Sequence, residues 1–435
     1  MRKRIGLLGC ALLLLAACND DKDMFDVPVP AETISFQPVS GGAVMRYALP
    51  DDTGICAVKV CYRNERDEEV TILGTPYADS VVLTGFDAPR RDVPVRISVT
   101  DNNNVESEPI ERTFNTLASC PYAFIDSVKV EESWNGLNIV SSYTGKITGI
   151  VDVYRVGINP FSKKLDTLYI RNFTIAAGTV KNFVSIATED EESTIVLKTG
   201  DGKGNHVRTL VVPGVKNHST QQYPRQKLSV TDPGEMSYEY KGVADDSPYR
   251  ASYFGIEYLT DGDLKGKIRK ERGKNAHYYT YVTKVNGNGS YVQVELEEPQ
   301  VIASVRLYGV LRDLDAIMSA GDLFAGNYID RLPCKVRVDA SDDGERWETI
   351  ASFEQQKDGN GECWGRHSAL GWDSTPETYD LMDPCYAEIV AEICDTKYKY
   401  LRVYSLDHFT TWTHSGNNTA DYISYHELEV YVQKN

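Results

Sequence analysis

The chain has no apolar run long enough to span a bilayer, no excess of basic residues, no Cys-x-x-Cys pair and no nucleophile beside a recognisable base. Each absence removes a class of function. The one marked apolar run, Ile5 to Leu15, falls short of the roughly 20 residues that a membrane-crossing helix needs. A formal net charge of −17 argues against nucleic acid, anionic lipid or acidic polysaccharide as the main partner. Without Cys-x-x-Cys or a zinc-like Cys/His spacing there is no structural zinc signature. Neither a Gly-x-Ser-x-Gly elbow nor a His-Glu-x-x-His helix occurs, and His426-Glu427 stands as an isolated pair. A glycosidase needs two carboxylates about 5–10 Å apart, and an Asp-rich β-protein offers such pairs by chance. We therefore expect no catalysis.

What is present points outward from the cell. Arg2, Lys3 and Arg4 precede the apolar run as a signal peptide's basic region does, and Leu15-Ala16-Ala17-Cys18 matches a bacterial lipobox. Residues 1–17 read as a lipoprotein signal peptide and Cys18 as the lipidated first residue of the mature chain. Acyl chains there would anchor it at about 0.8 kcal/mol per buried methylene. The acidic Asn19-Asp20-Asp21-Lys22-Asp23 resembles the export tag of Bacteroidota surface lipoproteins. Residues 18–32, with Pro28 and Pro30, then read as an extended linker.

The length of 435 residues suggests about three domains. Tyr, at 27 against 12 Phe, suits β-sheets and sugar contact alike. Seven cysteines remain after Cys10 and Cys18, so at least one has no partner within the chain. Cys56 and Cys61 face opposite sides of one strand, a poor geometry for a bond. Cys334, Cys363, Cys385 and Cys394 either pair or serve as small buried hydrophobes.

Period-two alternation and turns at short spacing predict a first small sandwich over 33–116, of the fibronectin type III or immunoglobulin kind, and a second over 117–216. Strand, Asx-rich turn, strand at Ile97–Ile110 is echoed about 100 residues later, where Gly200-Asp201-Gly202-Lys203-Gly204-Asn205 reads as a β-turn and not a phosphate loop. Trp134 is expected in the second module's core. Residues 217–233 read as a linker. One amphipathic helix is expected, Ala387 to Cys394.

Residues 234–435 carry three alternating anchors: Tyr291–Leu296 with Val301–Tyr308, Cys334–Val338 running through Ser341-Asp342-Asp343-Gly344 to Trp347, and Lys399–Tyr404 before the final Ile423–Tyr431. Their order resembles the discoidin (coagulation factor V/VIII type C, galactose-binding-like) family. The resemblance implies an all-β jelly-roll sandwich that binds sugar or lipid. It also implies a structural Ca²⁺, with Asp261 and Asp263 of Thr260-Asp261-Gly262-Asp263 and the late carboxylate Glu427 as ligands, since hard oxygen donors on a Gly turn suit calcium. Long insertions at Leu311–Arg331 and Gln355–Cys385 depart from the simple family pattern.

Sugar sites stack an aromatic plane on a pyranose and bind its hydroxyls with planar polar groups. Trp364, Arg366, His367, Trp372 and Asp373 share one long connection, while Asp407, His408, Trp412 and His414 lie in and before another. These are the candidate carbohydrate contacts, weighed against the possibility that the Trp side chains plug the sandwich ends. Trp347 is read as structural. As a whole, with Gly41–Tyr47 and Leu49–Asp52 in the first module, the chain resembles Bacteroidota surface lipoproteins of polysaccharide-utilisation systems. That implies glycan capture for an outer-membrane importer and its associated binding lipoprotein. The competing expectation is an adhesion lipoprotein for host protein or glycan.

Overall fold

Alternating apolar and polar residues dictate strands, and strands are nearly all that forms. This computed structural model describes residues 24–50, 54–241, 251–265, 277–284, 287–309, 332–356, 364–365, 381–409 and 422–434. They divide into two compact units. One takes in residues up to 130, 139–182 and 194–214; the other takes in 131–138, 183–193 and 215 onward.

In the first unit, Val58, Val60 and Tyr62 are buried while their neighbours in Ala57–Arg63 are more exposed, as a strand with one core face requires. That strand pairs antiparallel with Glu69–Gly74 and with Val93–Thr100, and the latter pairs with Ile110–Phe114. Ser35–Val39, Gly42–Arg46 and Ser80–Thr84 form a second sheet. Both sheets feed one core, in which Ala43, Met45 and Leu83 join Val58, Val60 and Ile97. A Cβ at Gly42 would lie 1.8 Å from the Leu83 carbonyl oxygen, so only glycine fits there. The next module holds a sheet ordered Leu165–Thr174, Ile150–Ile158, Glu192–Gly200, His206–Lys216. Its turn and the earlier one are built alike. Asp201 Oδ1 accepts the N–H groups of Lys203 and Asn205 at 2.9 and 2.8 Å, and Asp101 Oδ1 accepts those of Asn103 and Val105 at 2.8 Å each.

The second unit contains the terminal sandwich. One sheet runs Thr220–Gln222, Glu427–Gln433, Ile302–Tyr308, Tyr386–Val390; the other runs Leu228–Thr231, Ser290–Gln300, Tyr398–His408, Pro333–Ser341, Glu348–Glu354. Val294, Leu307, Val338, Val403, Leu428 and Val430 meet in the core between them. Ser424–Tyr425 belongs to a further small sheet with His277–Val282, Ala251–Phe254 and Tyr240–Lys241.

Three expectations change. The segment 217–233 is not a free linker: Thr220 pairs with Gln433 and Leu228 with Leu296, so it supplies an edge strand to each sheet. Residues from Ala387 do not form a helix. Ala387, Ile389 and Ala391 are buried and alternate with more exposed neighbours, a period of two that pairs Tyr386–Val390 with Ser304–Tyr308. Here helix-like spacing of Ile389, Val390 and Ile393 was outweighed by the sheet edge awaiting a partner. Trp134, finally, packs against Val301 and Ala303 of the terminal sandwich and donates its indole N–H to Ala391 O at 2.8 Å.

Candidate functional site

The strands of the terminal sandwich bring several connections to one end. Gly309 donates its N–H to Cys385 O at 3.0 Å, Phe409 to Leu332 O at 3.2 Å, and Gln355 to Cys334 O at 2.8 Å. Gly309 and Leu332, Gln355, Cys385 and Phe409, which lie at or near ends of the connections 310–331, 357–363, 366–380 and 410–421, are thereby gathered together. Arg366, His367, Trp372, Asp373, Trp412 and His414 belong to those connections and lie outside the described residues, as does Cys18.

Trp364 is half-buried at this end and packs on the core. Its indole N–H donates to Pro333 O at 2.8 Å and its backbone N–H to Gln355 Oε1 at 2.9 Å. A Cβ on Gly309 would make ordinary contact with Trp364 Cζ3 at 3.4 Å, whereas one on Gly365 would crowd Leu332 Cδ1 at 2.1 Å. With its only polar atom committed, Trp364 closes the sandwich and offers at most part of its ring to a ligand. Asp407 is half-buried and accepts the His408 N–H at 2.9 Å. His408 itself is fully buried, at 0 % exposure, which corrects its expected role. A register shift after Ser405 breaks the alternation that buries Leu401, Val403 and Ser405, and it turns His408 inward, where a surface-bound sugar does not reach. No disulfide joins two described cysteines. Cys385 Sγ instead lies 3.4 Å from Gly365 O and 3.6 Å from Gly309 O.

The outer face of the five-stranded sheet also carries aromatic rings, each with a guanidinium over it. Tyr291 and Tyr404 lie 4.8 Å apart between centroids, with Arg402 over the first ring at 5.0 Å and Arg337 over the second at 4.3 Å. Arg402 also stacks on Trp347 at 3.9 Å, in keeping with a structural Trp347. A guanidinium thus lies over each of Tyr291, Tyr404 and Trp347, which leaves less of each ring for a pyranose.

The suggested calcium ligands come from two elements. Thr260 ends a short 3₁₀ turn, Ile256–Thr260, and Gly262 follows with φ +91°, a conformation that favours glycine. Asp261 Oδ1 accepts the Asp263 N–H at 2.9 Å, and Asp263 Oδ1 accepts the Lys265 N–H at 3.2 Å. Glu427 and Glu429 lie on the terminal strand at 0 and 2 % exposure. Gly262 N–H lies 3.2 Å from both Glu427 carboxylate oxygens, and Arg225 Nε is 3.1 Å from Oε1. Burial pushes the Glu427 carboxyl up to about 8, against the Gly262 hydrogen bond and the Arg225 charge. Glu429 accepts from Gln222 Nε2, Arg225 Nη2 and the Tyr308 hydroxyl at 2.6 Å each, and from the Tyr431 hydroxyl at 3.1 Å. Among the described residues no group of three or more His, Cys, Asp or Glu side chains is placed to hold a metal ion. With the Glu427 lone pairs engaged and a guanidinium beside them, this donor set does not fit a dication.

Neither Arg225 nor Glu429 stood out in the sequence. The available signal was Glu427-x-Glu429 inside an otherwise apolar strand: two carboxylates at i, i+2 share a face and, if buried, demand a cation.

A family profile described as a domain of unknown function, DUF4959, matches residues 28–116. A search of curated proteins finds no match. Among solved structures, a SusE-like protein is 12% identical with a TM-score of 0.33, over 71% of this chain and 97% of that one. The family 32 carbohydrate-binding module of Clostridium perfringens NanJ, solved with galactose, is 11% identical with a TM-score of 0.26, over 49% of this chain and 98% of that one. A two-domain Bacteroides fragilis protein of unknown function is 11% identical with a TM-score of 0.25, over 70% and 89%.

Proposed function

We propose that this chain is a non-catalytic, cell-surface glycan-binding lipoprotein that captures polysaccharide or oligosaccharide for an outer-membrane uptake system. The observation that carries the reading is the gathering of connection ends at one end of the terminal sandwich. The connections that leave from there hold Trp372 and Trp412, together with Arg366, His367, Asp373 and His414. Aromatic planes beside planar polar groups are what a sugar ring requires. The lipobox at Cys18 and the acidic residues after it support an outward-facing lipid anchor, and an importer with its own binding lipoprotein is the partner such a chain would serve.

The test is affinity electrophoresis of the full mature chain, with Cys18 replaced by Ser for solubility, through gels containing different polysaccharides. At least one polysaccharide retards the wild type, and Trp372→Ala or Trp412→Ala weakens the retardation at least about tenfold, as loss of a stacking aromatic does. Absence of retention across plant, host and microbial polysaccharides would refute the reading.

A further inference from the structure

The geometry points to Arg225 as the permanent cation of the terminal sandwich, filling the place between the Asp261-Gly262-Asp263 turn and the Glu427–Glu429 strand that a calcium ion was expected to occupy. The guanidinium reaches both carboxylates, with one hydrogen bond, to Glu429, and one ion-pair approach, to Glu427. Nε faces Glu427 Oε1 at 3.1 Å, Nη2 donates to Glu429 Oε1 at 2.6 Å, and Nη1 lies 3.0 Å from where a Cβ on Gly262 would stand. Gly262 is thus required twice, by its left-handed backbone and by the guanidinium against it. The same glycine's N–H lies 3.2 Å from both oxygens of Glu427, so the turn, the guanidinium and the strand lock together.

Two physical features make arginine a fitting substitute for a metal here. Its planar fork faces two carboxylates at once, one of them through a directed N–H bond, where an ammonium would act as a point charge. A dication bound to Glu427 would lie beside that guanidinium and be repelled by it. Arg225 comes from the segment joining the second module to the sandwich, within the 3₁₀ turn Arg225–Lys227. The segment therefore carries the cation in with the chain, and the terminal sandwich is metal-independent so long as the segment is present.

The test is thermal unfolding of the full chain in EDTA and in about 5 mM CaCl₂, above the roughly 10⁻⁴–10⁻³ M range of extracellular calcium modules. The midpoint of the wild type stays the same in both, and metal analysis of the purified chain finds less than about 0.1 calcium per chain. Arg225→Ala lowers the midpoint, and Arg225→Lys lowers it less. A calcium-dependent rise in the wild type, or stoichiometric calcium in it, overturns the proposal. So does an Arg225→Ala chain that melts with the wild type. Should Arg225→Ala fail to fold, the wild-type measurements and Arg225→Lys still decide the matter.

Discussion

Trp134 and Trp364 make the same bond in different settings. Each donates its indole N–H to a backbone carbonyl of the terminal sandwich at 2.8 Å, Trp134 to Ala391 and Trp364 to Pro333. Trp134 arrives from the hairpin of the preceding module, is 7 % exposed, and has His218 edge-on at 5.7 Å. His218 is in turn bound to Glu132 at 2.9 Å. Trp364 arrives from a long connection of the sandwich itself and keeps part of its ring in solvent. A tryptophan closed on all sides serves only packing, whereas a half-open one borders a surface where a ligand can add contacts. The comparison places a packing joint at Trp134 and, at Trp364, the edge of the end proposed above to bind glycan.

The largest effect should come from breaking the joint. Trp134→Ala is expected to cost about 3–5 kcal/mol of the unit's stability, and Trp364→Ala about 2 kcal/mol, because less area is lost from a half-open site. Denaturant unfolding of both variants checks the order, and equal losses would erase the distinction between the two settings.

A smaller, pH-dependent effect sharpens the contrast between the buried strand and the open end. Glu427 is pushed up to about 8 in the folded chain, while the unfolded chain ionises in the ordinary carboxylate range. The folded state therefore binds the proton more tightly. This contribution is fully present below the ordinary carboxylate value and is lost as pH rises through about 8. Thermal midpoints should fall between about pH 5.5 and 8.5, and Glu427→Gln should flatten that part of the profile. A Glu427→Gln profile parallel to the wild type would show that Glu427 does not titrate there.

The least effect is expected near the joint's periphery. Lys434 Nζ lies 3.0 Å from Glu189, but the side chains are 43 and 87 % exposed. Glu189→Ala should change stability by less than about 0.5 kcal/mol at physiological salt, since water and ions screen such pairs. A loss above about 1 kcal/mol would mean the joint extends beyond Trp134 and His218.

Much of this was legible in the residues. Alternation along Ala57–Arg63, Tyr291–Leu296 and Lys399–Tyr404 announced strands, and the Asp101 and Asp201 turns formed as Asx chemistry requires. Two segments misled for one reason. Ala387–Cys394 and 217–233 have weak local preferences, and each was recruited as an edge strand by a sheet with a free edge. His408 misled differently: it follows a polar Asp407 near a loop, yet a register shift after Ser405 reverses the strand's parity and turns it inward.

By itself the sequence determined the all-β class and the turns, because each rests on neighbouring residues and a period of two. Only the tertiary structure decided which cation faces Glu427 and Glu429. Arg225 stands 204 positions from Glu429, and nothing local to either announces the other. Sheet register brings Gln222 opposite Tyr431, the edge strand then delivers Arg225 to the carboxylates, and burial makes that meeting obligatory.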